Sequence, residues 1–127
     1  MLKTLGKSER IKHTILFEEL FASGESFIKY PLRIVVKKSS HTTHDVRLRF
    51  GVSVSKKKFK SAVSRNRVKR LIRESYRLNK DILISVIPEG ETYDLLFIFL
   101  SDTLPVYSKI ETAMIHALET LQKRLTT

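Results

Sequence analysis

Eleven of the 25 residues from Lys56 to Lys80 are lysine or arginine, and Glu74 is the one acid among them, a net of +10. The rest of the chain holds 13 basic and 12 acidic residues, so nearly all of the +11 charge is local. Such a concentration suits a polyanion, because guanidinium forks grip phosphate oxygens bidentately and lysines add compact charges. At 100° per residue, Asn66, Lys69, Arg70, Arg73, Arg77 and Lys80 fall on one side of a helix opposite Val68, flanked by Arg65 and Arg67. Lys69, Arg73 and Arg77 repel one another at i, i+4 spacing, a cost that bound phosphates relieve. Lys56, Lys57, Lys58 and Lys60 precede that helix and put further positive charge beside its N-terminal amides, which themselves attract anions.

Other chemistry is sparsely provided. Ser53 and Ser55 lie on the polar side of an alternating segment with no histidine beside them, so they read as hydroxyls for a phosphate or sugar, not as nucleophiles. His41 and His44 occupy a polar connection, with His13 and His116 elsewhere; they read as solvated side chains, and no metal site in the protein is expected. The absence of cysteine excludes disulfides and thiolate metal sites and fits a reducing cytosol.

The elements that must position these residues follow from periodicity. Residues 14–23 place Leu16, Phe17, Leu20 and Phe21 on one helical face, with Thr14 as a plausible N-cap and Gly24 as a stop. Leu32 to Lys38 is β-rich. From Val46 to Ser55 the order alternates, with Val46, Leu48, Phe50, Val52 and Val54 on one side and Arg47, Arg49, Ser53 and Ser55 on the other. Ser61 to Asn79 forms the basic helix, its inner side made by Ser64, Val68, Leu71, Ile72, Ser75 and Tyr76. Tyr93 to Leu100 is apolar on both sides after Asp94, as an interior strand requires. A last helix carries Val106, Ile110, Ala113, Met114, Ala117, Leu118, Leu121 and Leu125 in register, with Ser108 and Glu111 spaced as a capping box.

At 127 residues, 42% hydrophobic and 29% charged, the chain reads as one folded domain spanning 1–127, an α+β sandwich with helices packed on a sheet. The longest apolar run, Leu95 to Leu100, is far too short to span a bilayer, and no signal-peptide segment opens the chain, so neither membrane insertion nor export is expected. Charge by itself leaves several partners open. A DNA regulator lacks support because no helix-turn-helix pair or heptad zipper accompanies the basic helix. A non-catalytic binder of structured RNA explains the charge as well as any enzyme subunit does.

The stretch FGVSVSKKKFKSAVSRNRVKRLIRESYR resembles the signature of the bacterial ribonuclease P protein family. Its core is Arg65-Asn66-Arg67 followed by VKRLIRES, and Arg10 to Gly24 match the family's R-I-K-x-x-x-x-F-x-x-x-F-x-x-G. The resemblance covers essentially the whole chain. It implies the element order α-β-β-β-α-β-α, a central mixed sheet and a left-handed βαβ crossover. It also implies a cytoplasmic ribonucleoprotein endonuclease in which one protein joins one catalytic RNA to remove the 5′ leader of precursor tRNA. Hydrolysis then belongs to the RNA with magnesium held mainly by that RNA, and no protein residue is catalytic.

By the same resemblance, Lys56, Lys57, Lys58, Lys60, Arg65, Asn66, Arg67, Lys69, Arg70, Arg73 and Arg77 meet the catalytic RNA. Phe17, Phe21, Arg33, Ser53 and Ser55 meet the leader in a cleft between the first helix and the sheet. The phenylalanines suit stacking on unpaired bases, although an amphipathic helix uses the same residues as core. Two departures stand out. Lys60 and Ser61 replace a glycine that many relatives carry before Ala62-Val63, and Val35 stands where a cleft aromatic is common, leaving Tyr30 or Arg33 as substitutes.

Overall fold

The computed structural model describes residues 24–39 and 46–126. The helix expected over 14–23, with Phe17 and Phe21, and the histidines His13, His41 and His44 lie outside the described residues. Strands β1 (Glu25–Lys29), β2 (Leu32–Lys38) and β3 (Leu48–Val54) come first. They are followed by helices α1 (Ala62–Asn79) and α2 (Asp81–Ile84), strand β4 (Tyr93–Phe99) and helix α3 (Tyr107–Thr126). The sheet runs β1-β2-β4-β3, with β3 and β4 parallel and the other neighbours antiparallel. It is therefore the expected mixed sheet. β4 lies inside it, which explains why its residues are apolar on both faces.

Alternation divides the sheet into two faces. Leu32 and Ile34 of β2, Leu48, Phe50 and Val54 of β3, and Leu95, Phe97 and Phe99 of β4 pack against Val68, Ile72 and Tyr76 of α1 and the inner stripe of α3. Tyr76 is the hub of this layer, with ring centroids 4.5 Å from Phe50 and 5.7 Å from Phe97. Ile110, Ala113, Met114, Ala117, Leu118 and Leu121 supply the buried side of α3. Val106, expected in that stripe, is exposed instead, because the helix begins one residue later at Tyr107. The capping box does not form either: Ser108 lies inside the first turn, and Glu111 accepts hydrogen bonds from the Tyr107 hydroxyl at 3.1 Å and Asn79 Nδ2 at 3.4 Å. Burial and that bond to Glu111 push the Tyr107 phenol up to about 12.

On the other face, Arg49 and Asp94 are register partners joined by a fork of 2.8 and 3.0 Å. Arg49 Nη2 also donates to Ser39 Oγ at 2.9 Å. Asp94 is buried at 4% exposure, so the fork neutralises a charge that an interior strand otherwise excludes. Nearby, the Ser39 amide donates to the Thr92 carbonyl and the Thr92 hydroxyl to the Val46 carbonyl.

Candidate nucleic-acid interface

The basic helix starts where a side chain can close its first turn. Ser61 is the N-cap, its hydroxyl accepting from the Ser64 amide at 3.4 Å, so the replacement of glycine at this position supplies a cap. Burying Val68, Ile72, Ser75 and Tyr76 turns the opposite side outward, where Asn66, Arg67, Arg70 and Arg73 are exposed and Lys69 is half-buried. Leu71 and Ser64, expected on the inner side, are half-buried at its border. Lys80 departs from the expected outer stripe: it is the buried C-cap residue, its amide donating to the Tyr76 carbonyl.

Arg65 and Arg77, both expected to meet phosphates, already hold protein atoms. Arg65 Nη1 donates to the carbonyls of Phe59 at 2.7 Å and Lys60 at 3.1 Å, folding the guanidinium back over the turn that leads into the helix. Arg77 forms a fork with Glu74, at 2.6 and 3.2 Å. That bond holds the Glu74 carboxyl below the usual carboxylate range and raises the Arg77 guanidinium further.

The lysine turn is shaped by one aromatic. Residues 56–58 form a turn between β3 and α1, with Lys56, Lys57, Lys58 and Lys60 all exposed. Phe59, in their midst, is buried against Phe99 with centroids 5.9 Å apart. The Ser55 hydroxyl accepts from the Lys57 amide at 3.1 Å and the Ser55 carbonyl from the Phe59 amide, so Ser55 serves the turn. Lys58 Nζ reaches across to the Leu100 carbonyl at the exit of β4. Phe59 is not among the residues expected to be functional; an aromatic isolated among lysines is the signal that a side chain anchors this loop.

The second face of the sheet gathers the remaining described candidates. Arg33 and Ser53 both pair in register with Ile98, on either side of β4, so the two polar side chains flank one apolar position. Arg33 is exposed and donates to Ser26 Oγ at 3.2 Å. Val35 lies on the same face and is buried, beside Leu96. Tyr30 is not on this face; it occupies the β1–β2 turn at the end of the sheet, joined to Pro31 by a cis peptide bond. Of the two substitutes considered for an aromatic at Val35, Arg33 alone shares its face. Among the described residues no three acidic or histidine side chains gather to hold a metal ion.

A family model, Ribonuclease P, matches residues 5–122. The chain belongs to the ribonuclease P protein family. A ribonuclease P protein component of Porphyromonas gingivalis is 43% identical over 114 residues, covering 87% of this chain and 80% of the relative. One from Clostridium botulinum is 40% identical over 114 residues, covering 89% and 94%. Among solved structures, a Staphylococcus aureus RNase P protein mutant with defective mRNA degradation activity superposes with a TM-score of 0.72 at 25% identity, covering 90% of this chain and 88% of that one. The RNase P protein from Thermotoga maritima superposes with a TM-score of 0.68 at 24% identity, covering 88% and 96%, a likeness of fold. The α+β sandwich with its four-stranded mixed sheet is thus the fold of ribonuclease P proteins. Membership makes the chain a component of a ribonuclease that acts in tRNA 5′ processing, with the ribonuclease P RNA as its partner.

Proposed function

We propose that this protein binds the catalytic RNA through α1 and the lysine turn, leaving hydrolysis to that RNA with magnesium, and holds the 5′ leader of precursor tRNA on the second face of its sheet. The observation that carries the reading is the outward set Asn66, Arg67, Arg70 and Arg73, continued at the helix N-terminus by four exposed lysines. Packing of Val68, Ile72 and Tyr76 into the core supports this orientation, because the helix cannot rotate without exposing them. Lys69 adds charge at the border of that surface. Arg65 contributes whatever guanidinium N–H groups its two carbonyl bonds leave over, and Arg77 acts with Glu74 as a neutralised pair unless RNA displaces the acid.

Arg33 and Ser53 offer the leader a charge and a hydroxyl across β4, and Ser55 acts by shaping the adjoining turn. Phe17 and Phe21 complete the leader site by stacking on unpaired bases. One protein per catalytic RNA and a cytoplasmic setting complete the reading.

The test is cleavage of a precursor tRNA by the cognate ribonuclease P RNA at low magnesium, with and without the protein. Stimulation that fades as the leader is shortened is expected. Stimulation indifferent to leader length removes the leader role. None with folded RNA and protein removes the subunit reading.

A further inference from the structure

Five large apolar side chains are exposed among the described residues, and four of them, Ile28, Tyr30, Leu104 and Val106, ring one groove of about 860 Å³. The groove lies at the end of the sheet, between the β1–β2 turn and the loop that leads into α3. Apolar groups gathered this way, not scattered singly, mark a surface that something covers. Tyr30 is 69% exposed, its ring held out by the turn. Lys29, Lys109 and His116 stand on the walls, and among the described residues no acid lines the groove. Tyr30 and Ser101 also line a smaller neighbouring cavity with Lys57 and Lys58, where Asp102 is the one opposing charge among the described residues. The apolar groove therefore runs into the lysine turn.

An aromatic platform with cations in the same groove and the cavity beside it suits a nucleotide: the ring meets a base and the ammonium groups meet its phosphates. A second copy of the chain is disfavoured, because a self-complementary contact brings like charges together. An acidic protein segment would also satisfy the charges, but continuity with the lysine turn, the surface read as meeting RNA, favours the RNA.

We propose that this groove receives an unpaired base of the catalytic RNA, stacked on Tyr30, with the adjoining phosphates at Lys57 and Lys58. The inference rests on that RNA being the partner at the lysine turn, and it adds a contact distinct from α1 and from the Arg33–Ser53 face.

The experiment uses the complete chain with ribonuclease P RNA carrying 4-thiouridine. Ultraviolet crosslinks are expected in residues 28–31 or 104–106, identified by mass spectrometry of the crosslinked peptides. Tyr30→Ala should weaken binding of that RNA about tenfold, the loss of one stacked base, while Tyr30→Phe keeps it. Tyr30 is largely exposed, so both variants should melt with the parent, and the crosslinking arm needs no variant. A complex that forms without crosslinks in either stretch overturns the groove's role, as does unchanged binding by Tyr30→Ala. Crosslinks there only when the thiouridine lies in a precursor leader also overturn it, since the occupant is then the substrate. Failure of the parent to bind the RNA at all overturns the reading of α1 as the RNA-binding helix, and this inference with it.

Discussion

Arg65 and Arg67 stand two residues apart in one motif and do different work. Arg67 is exposed, whereas Arg65 bonds the carbonyls of Phe59 and Lys60. Arg67→Ala should weaken binding of the catalytic RNA and lower the slope of log affinity against log salt by about one, with the melting temperature unchanged. Arg65→Ala should in addition destabilise the fold by about 1–2 kcal/mol, because two carbonyls lose a charged donor. Equal melting temperatures for the two variants, followed by circular dichroism, would sink this division of labour. Arg49 and Asp94 are a second case. Arg49→Ala leaves the Asp94 carboxylate buried beside it without its partner and should cost about 3–5 kcal/mol in urea unfolding. A loss below about 1 kcal/mol means that water reaches Asp94.

At the scale of elements, both ends of the basic segment are tied down before any RNA arrives. Phe59 and the Ser61 cap fix where α1 begins. Its far end meets the start of α3, where Asn79 and Tyr107 both donate to Glu111. The Tyr107 phenol, at about 12 against roughly 10 in an unfolded chain, favours the folded state while neutral. This contribution is complete below pH 10 and is lost as pH climbs from 10 towards 12. Comparing alkaline ultraviolet titrations of the parent and Tyr107→Phe should assign one phenol a midpoint near 12; a midpoint near 10 would mean that the phenol is not held. Between α1 and β4, the short α2 was not read from the sequence. Four residues show no helical period, and α2 exists because Leu83 is buried in the core and Gln122 of α3 donates to the Ile82 carbonyl.

Across the whole molecule, a charge of +11 with nearly all its excess in 25 residues makes association strongly salt-dependent. If six or more phosphates are engaged, raising salt from 50 to 200 mM should lower the affinity for the catalytic RNA about a thousandfold or more. A filter-binding series that falls less than tenfold would mean that the basic side of α1 is not the interface. The location of that charge, the strands β3 and β4 and the two long helices were legible because each rests on a local pattern: alternation from Val46 to Ser55, the 3.6-residue period of α1 and α3, and unbroken apolarity in β4. The family, too, was legible, from the Arg65-Asn66-Arg67 motif and its flanks. Lys80 and Val106 were misplaced because a helical period assigns sides but not ends, and one residue at an end decides whether a side chain is core or surface. The sequence by itself determined which residues share a face and where the charge lies. Only the tertiary structure decided that Arg33 and Ser53 flank Ile98, that Arg65 turns back on its own loop, and that four apolar residues from distant segments ring one groove, because those arrangements depend on sheet order, register and packing and not on a local period.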